Sequence, residues 1–284
     1  MGKTIFEAYN GTKNELEKAG IEDYVFEAKQ IIKHVTSYNN MQILTNYAEE
    51  LTEKQKIMLT ATVKQRLIRY PLQYIFGTWD FYGLPFKVGP GVLVPRADTE
   101  TLVDTLLDLI KEIKAPAVLD LCSGTGCVAI AAAKNRTDAA VTAVEKYEEA
   151  ARYIRENVKL NNVPNIRLVT GDVFEGAATD TKYDIIVSNP PYVTAEEMKK
   201  LPKEVTYEPA TALFGGDDGL TFYRAIVKTY KTALKENGKA AFEIGSAQAD
   251  AVKQILAENG FCDIGVKKDA ENRDRVVFGT LKSI

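Results

Sequence analysis

Tyr183-Asp184-Ile185-Ile186-Val187-Ser188-Asn189-Pro190-Pro191-Tyr192 is the stretch that decides the architecture. Its first six residues form a mainly apolar run that reads as a buried strand. Two consecutive prolines then end any strand or helix and hold the backbone extended. Asn189 is thus presented at a strand's carboxyl edge, on a backbone that cannot relax. In open α/β sheets that edge is where ligands bind. The Asn189 amide oxygen, the rigid Pro190 carbonyl and the Tyr192 ring together suit a flat NH2 group. Two oxygens accept its two N–H bonds and the ring lies on its plane. That is the chemistry of methylating a planar nitrogen. The tetrapeptide alone also fits a plainer reading, a proline-terminated strand with a turn asparagine.

Working outward, strand and helix alternate regularly from Pro116 onward. Strands are expected at 117–121, 139–144, 166–170, 183–188, 239–244, 261–267 and 275–280. The pattern predicts an α/β fold with a doubly wound, mainly parallel sheet. The last two strands are joined only by the short polar segment 269–274, too short for a crossover, so they should pair antiparallel.

Upstream, residues 1–72 read as a small four- or five-helix domain. Thr4-Ile5-Phe6-Glu7 and Thr52-Glu53-Lys54-Gln55 fit the capping-box pattern. Val25, Ala28, Ile31, Ile32 and Val35 recur at helical spacing, and Pro71 closes the last helix. Residues 73–96 are aromatic and turn-rich and read as a β-hairpin linker. Asp98 is expected to N-cap a helix running to about Lys114. Residues 97–284 form the α/β domain.

Composition excludes several classes. The 284 residues are 45% hydrophobic and 26% charged, with net charge -3. That balance disfavours a phosphate-backbone binder, which needs a basic face. No apolar run reaches membrane-spanning length, and Met1–Glu7 lacks the core of a signal peptide. Gly2 is not followed by a myristoylation pattern. A cytoplasmic chain is expected. Cys122, Cys127 and Cys262 make no Cys-x-x-Cys pair, so no metal site or disulfide is indicated and all three are expected buried. The single histidine, His34, lies far from the motifs, so any chemistry proceeds without a histidine base.

Asp120-Leu121-Cys122-Ser123-Gly124-Thr125-Gly126 ends the first strand of the sheet and opens an alanine-rich helix. Its glycines admit a ligand close to the backbone. The phosphate loop is absent, and Ala129 replaces the third glycine of the dinucleotide pattern. Asp120 would repel a pyrophosphate but suits a cation. S-adenosylmethionine carries an ammonium and a sulfonium and no phosphate. Glu145 ends the next strand, placed to accept both ribose hydroxyls. Asp172, after the third strand, can receive the adenine amino group.

With both motifs in place, the chain resembles the protein-(glutamine-N5) methyltransferases of the PrmC/HemK family over nearly its whole length. The matching segments include Pro71–Ile75, Phe81–Gly83, Val92–Arg96 with Asp98-Thr99-Glu100, and Asp120–Gly126. Val187–Tyr192, Glu208-Pro209, Ala212–Leu220, Glu243-Ile244-Gly245 and Asp274–Val277 complete them. Asn-Pro-Pro-Tyr is shared with DNA amino-methyltransferases, whereas Pro-Arg-x-Asp-Thr-Glu and Glu-Pro are more specific.

The resemblance implies a class I S-adenosylmethionine-dependent methyltransferase fold, seven strands with the last antiparallel. It implies methylation of the glutamine in the Gly-Gly-Gln loop of peptide chain release factors, leaving S-adenosylhomocysteine. Asn189, Pro190 and Tyr192 are the implied catalytic residues. Substrate is expected against them and Pro191, with Arg96 and Glu208 either shaping the pocket or forming a salt bridge between segments. Cofactor is expected against Cys122, Ser123, Gly124, Thr125, Gly126, Glu145, Asp172, Val173 and Asn189. The helical domain would dock the protein substrate, and a monomer acting without nucleic acid, metal or membrane is expected. Two departures stand out. Cys122 replaces the first loop glycine, acceptable if its φ is negative, and Glu145 stands where Asp is commoner. The alternatives are a ribosomal-protein glutamine methyltransferase and a DNA amino-methyltransferase.

Overall fold

The computed structural model describes residues 3–176 and 181–282. Met1 and Gly2, which enter the reading of the N-terminus, lie outside the described residues. The chain divides into two compact units, one of residues 1–77 with Lys203–Tyr207, the other of 78–202 with 208–284. Residues 73–96 are therefore not a separate linker: 73–77 belong to the first unit and 78–96 to the second.

The first unit is helical: α1 (Ile5–Lys18), α2 (Tyr24–Thr36), α3 (Asn40–Thr45), α4 (Glu53–Leu67) and α5 (Leu72–Phe76). Thr4 and Thr52 close the expected capping boxes with Glu7 and Gln55, and Asn39 closes a third with Gln42. Each satisfies two backbone donors that a helix start otherwise leaves open, worth about 1 kcal/mol. Ala28, Ile31, Ile32 and Val35 enter the core as their spacing requires, while Val25 stays half exposed. His34 stacks on Phe76 at 4.3 Å. Buried Arg66 holds Glu27 through two bonds of 2.6 and 3.0 Å. It also binds Glu204 at 2.9 Å, as does Arg69. The segment Lys203–Tyr207 is held in this unit by that pair of arginines and by an edge contact of Tyr207 on Tyr70.

The second unit opens with a hairpin, β1 (Thr78–Phe81) and β2 (Leu84–Lys87), followed by α6 (Glu100–Ile110). Asp98 does not cap α6. It lies in a 3-10 turn, Ala97–Thr99, and its carboxylate takes Arg273 and Arg275 at 3.1 and 3.0 Å. The helix also stops four residues short of Lys114.

The sheet comprises β3 (Ala117–Leu121), β4 (Ala140–Glu145), β5 (Ile166–Thr170), β6 (Tyr183–Ser188), β7 (Leu234–Glu243), β8 (Phe261–Lys268) and β9 (Asp274–Leu281). Their spatial order is β5-β4-β3-β6-β7-β9-β8, with only β9 antiparallel to its neighbours. Helices α7 (Cys127–Asn135), α8 (Glu148–Asn161), α9 (Ala195–Met198), α10 (Thr221–Tyr230) and α11 (Ala249–Glu258) complete the unit. Core forms on both faces of the sheet. Val118, Val141 and Ile185 point to the side of α6 and α7, while Leu119, Val144 and Ile186 point to the side of α10 and α11. Burial on both faces explains why these strands are continuous apolar runs. No helix among the described residues is long and apolar enough to cross a membrane.

Candidate active site

The chain leaves β3 toward β4 and β5, then returns to lay β6 on the other side of β3. This reversal opens a crevice at the carboxyl ends of β3 and β6. Register brings the functional segments level there. Leu121 pairs with both Val144 and Ser188, and Glu145 pairs with Thr170. Ser188 Oγ adds a 2.6 Å bond to the Leu121 carbonyl, tying the two strand ends together. The loops leaving these strand ends therefore face one cavity. Its walls include Arg96, Asp120, Cys122, Ser123, Gly124, Thr125, Glu145, Asp172, Val173, Asn189 and Pro191. Gly126, Pro190, Tyr192 and Glu208 stand outside those walls.

The loop after β3 turns on three residues with positive φ: Cys122 at 59°, Gly124 at 56° and Gly126 at 79°. The negative φ expected of Cys122 is not what it adopts. The Ser123 amide must reach the Val144 carbonyl, at 3.1 Å, and this reversal sets the Cys122 backbone whatever its side chain. A non-glycine residue held this way stores about 1–2 kcal/mol of strain. Gly126 begins α7, and a Cβ there would crowd Ile130 and Ile154 at 3.3 Å. All three cysteines are partly exposed rather than buried. Desolvation pushes the Cys127 thiol up to about 12 and Cys122 higher still, so neither is a ready nucleophile.

Asp120 is 1% exposed and its Oδ2 has no hydrogen-bond partner among the described residues. Burial raises its carboxyl to about 7, against hydrogen bonds from Ser123 and Ala129 and with Glu145 adding to the rise. Glu145 accepts from the amides of Gly124 and Tyr147, both at 2.9 Å. Burial also raises its pKa, the larger effect against those bonds. Asp172 accepts from the Phe174 amide at 3.0 Å and pairs with Lys146 at 2.7 Å. Lys146 was not expected here, and no local motif announces it.

Asn189 is half-buried, and its Nδ2 donates to Thr99 Oγ1 at 3.3 Å. The Tyr192 hydroxyl donates to Glu243 Oε1 at 3.4 Å. Gly215 packs so tightly under this turn that a Cβ would sit 2.6 Å from Tyr192 Cα. Glu208 is buried, accepts from the Val94 amide at 2.9 Å and forms an ion pair with Arg96. The salt bridge between segments is therefore present, and Arg96 also lines the cavity. Thr99 and Glu243 have no role that the sequence alone assigns. A lone acid inside the apolar Ala240-Ala241-Phe242-Glu243-Ile244 is the signal that could have found the second.

A mixed seven-stranded sheet in this order, with its crevice at the switch point, defines a class I methyltransferase. The family described as Methyltransferase small domain matches residues 95–243, and the PrmC N-terminal domain matches residues 7–77. The chain belongs to the release factor glutamine methyltransferase family. A protein of that name from Fusobacterium nucleatum is 40% identical, over 95% of this chain and 77% of the relative. Another from Thermodesulfovibrio yellowstonii is 41% identical, over 89% and 91%. A solved methyltransferase structure from Pyrococcus furiosus shares the fold with TM-score 0.53 and 18% identity, over 82% of this chain and 100% of that one.

Proposed function

We propose that the protein methylates the side-chain amide nitrogen, N5, of the glutamine in the Gly-Gly-Gln loop of peptide chain release factors. The carrying observation is the meeting, at one switch point, of Asn189 with a cavity lined by the buried acids Asp120 and Glu145, the first with an unpartnered oxygen. S-adenosylmethionine is the methyl donor this reading requires, and when bound it supplies an electrophilic methyl carbon. The residues suit it. The unpartnered Asp120 Oδ2 calls for a cation, and the cofactor's ammonium is one. Glu145 would accept from the ribose, and its carboxylate keeps lone pairs beyond those facing Gly124 and Tyr147. Asp172 would accept from the adenine amino group beside Val173. The backbone of Cys122–Gly126 would border the rest.

A primary amide nitrogen is a poor nucleophile because its lone pair is delocalised into the carbonyl. Asn189 Oδ1 and the Pro190 carbonyl accept from its two N–H groups, which fixes its direction and favours the charge that develops on it. The Tyr192 ring would border the amide plane. No base is needed beforehand, since the nitrogen sheds its proton after transfer. Incubation with release factor and labelled cofactor should add about 14 Da to one glutamine, and duplex DNA should stay unlabelled. Label on DNA with release factor untouched would defeat this function.

Cofactor binding should depend on pH through Asp120. The free site holds that carboxyl at about 7, and a bound ammonium requires it ionised. Below pH 7 a proton must leave before binding, so affinity falls as pH falls, by about tenfold per unit. Calorimetry at pH 6 and 8 should differ about tenfold, with proton release at the lower pH. Equal affinities without proton release would remove Asp120 from the ammonium site.

The helical unit supplies docking surface for the protein substrate in this reading. Val25 and Phe26 on α2 are each about half exposed, at 49% and 50%. Glutamate at both positions should raise KM for release factor about tenfold, the scale of a modest interface residue, with kcat unchanged. An unchanged KM would place docking elsewhere.

A further inference from the structure

Behind Asn189 and Tyr192 lies a buried group of side chains that the reaction, as proposed, leaves unused. Asn189 Nδ2 donates to Thr99 Oγ1 at 3.3 Å. The Tyr192 hydroxyl donates to Glu243 Oε1 at 3.4 Å. The Thr99 hydroxyl favours the ionised form of the Glu243 carboxyl. Thr99 and Glu243 are each 1% exposed. Glu243 Oε2 has no hydrogen-bond partner among the described residues. Both ends of Asn-Pro-Pro-Tyr therefore lead to one carboxyl group, Tyr192 directly and Asn189 through Thr99. The carboxyl sits at the end of β7, whose Phe242 pairs with Ser188 of β6.

The chemistry of these groups gives the chain a direction. A carboxamide has a donor end and an acceptor end of nearly equal shape, and only the acceptor end can take an N–H from a substrate amide. A threonine hydroxyl donates one bond while accepting others, whereas a carboxylate only accepts. Beside ionised Glu243, the Thr99 hydrogen is committed to the carboxylate. The Thr99 oxygen is then left to accept, and it accepts from Asn189 Nδ2. The Asn189 oxygen is turned away from Thr99 as a result.

We infer that Thr99 and Glu243 are positioning residues for methyl transfer: Glu243 orients the Thr99 hydroxyl, Thr99 holds the Asn189 amide with its oxygen toward the substrate, and the same carboxylate anchors Tyr192. This deepens the proposed function and rests on it. The bonds of 3.3 and 3.4 Å are long, as catalytic hydrogen bonds often are before substrate binds. Several other groups face Glu243. Arg275 from β9 and the hydrogen bond from Tyr192 favour its ionised form and Asp98 opposes it, while Tyr223 and Cys127 also lie within reach of its charge. Burial outweighs the Thr99 hydroxyl, the charge of Arg275 and the bond from Tyr192, and lifts the carboxyl to about 7. The orienting form is thus complete above neutral pH and is lost as pH falls through that value.

The test compares Thr99→Val, Thr99→Ser and Glu243→Gln with the natural chain, on release factor at saturating S-adenosylmethionine. Valine keeps the shape of threonine and removes the hydroxyl. It should lower kcat by about 10- to 100-fold, the scale of misdirecting one reacting group, with cofactor affinity unchanged. Serine keeps the hydroxyl and should stay within about threefold of the natural rate. Glutamine can donate through its own amide, so it no longer commits the Thr99 hydrogen. Glu243→Gln should lower kcat about tenfold and abolish the rise of kcat with pH near 7. Its thermal midpoint should not fall, because a buried charge is removed. Full activity in Thr99→Val, or an equally slow Thr99→Ser, overturns the relay. If the valine variant does not fold, the Glu243→Gln pH profile decides, and a retained step near 7 overturns it. If the natural chain leaves release factor unmodified, it is the proposed function that falls. If it methylates and the valine variant is equally fast, the relay alone falls.

Discussion

Asn189→Ala should lower turnover of release factor by about 10²–10³-fold, the loss typical of one preorganised partner for developing charge. Alanine removes the acceptor that would face the substrate amide and leaves the Pro190 carbonyl alone to direct the nitrogen. The fold should be untouched, since Asn189 is only half-buried and comes after the last paired residue of β6. Cofactor affinity should fall far less, because Asp120, Glu145 and Asp172 lie on other strand ends. Asn189→Asp separates charge from geometry. An ionised aspartate still accepts but cannot donate to Thr99 Oγ1, so it should recover only part of the rate. Single-turnover kinetics with bound cofactor reads the chemical step directly. A folded alanine variant with an undiminished single-turnover rate would take Asn189 out of the reaction.

The second large effect concerns Glu145. Alanine there should weaken S-adenosylmethionine binding by about 2–4 kcal/mol, or 30- to 1000-fold, the worth of two hydrogen bonds to a charged acceptor. Glu145 also organises its own loop, because Gly124 and Tyr147 both donate to it. The variant therefore loses ligand contacts and frees two amides at once. Glu145→Gln divides these contributions. The glutamine oxygen can still accept one amide, so the loss should be intermediate. Calorimetry with thermal unfolding as the folding control decides the matter. Unchanged affinity in a folded alanine variant removes Glu145 from the cofactor site.

The central strands β3 and β6 were legible because burial on both faces makes them short, mainly apolar runs, whereas the edge strand β5 is only partly buried. Strands 117–121, 166–170 and 183–188 occupy the bounds their sequences suggest. The start of β7 was hidden: Lys235, Glu236 and Asn237 are exposed and polar, Asn237 has a positive φ, and the register with β6 shifts across them, from Leu234 opposite Tyr183 to Lys239 opposite Ile185. Asp98 departs from expectation for a related reason. Its capping position is a local rule, and two arginines about 175 residues further along the chain outcompete it. Cys122 shows the limit of arguing from side-chain size, since the loop's path fixes its φ before its size matters. In the site, the residues that end strands were visible from spacing alone. Thr99 and Glu243 were not, because their meaning arises only when β7 lies beside β6 and the turn before α6 closes over both.

The placement of β9 has a consequence for how the chain acquires its shape. β8 is made before β9 but touches the sheet only through it, since β9 lies between β7 and β8. During synthesis, β3 to β7 can pair as they emerge, with β8 coming next but unable to join the sheet. For that interval the outer edge of β7 offers a row of open backbone donors and acceptors, which is a hazard for pairing with other chains. The Arg275 guanidinium arrives on the same strand that covers this edge, and its bond to the Ile244 carbonyl closes the end of β7. The strand that completes the sheet thus brings the cation that faces Glu243, so the last step of assembly is also the one that sets the charge balance behind the asparagine.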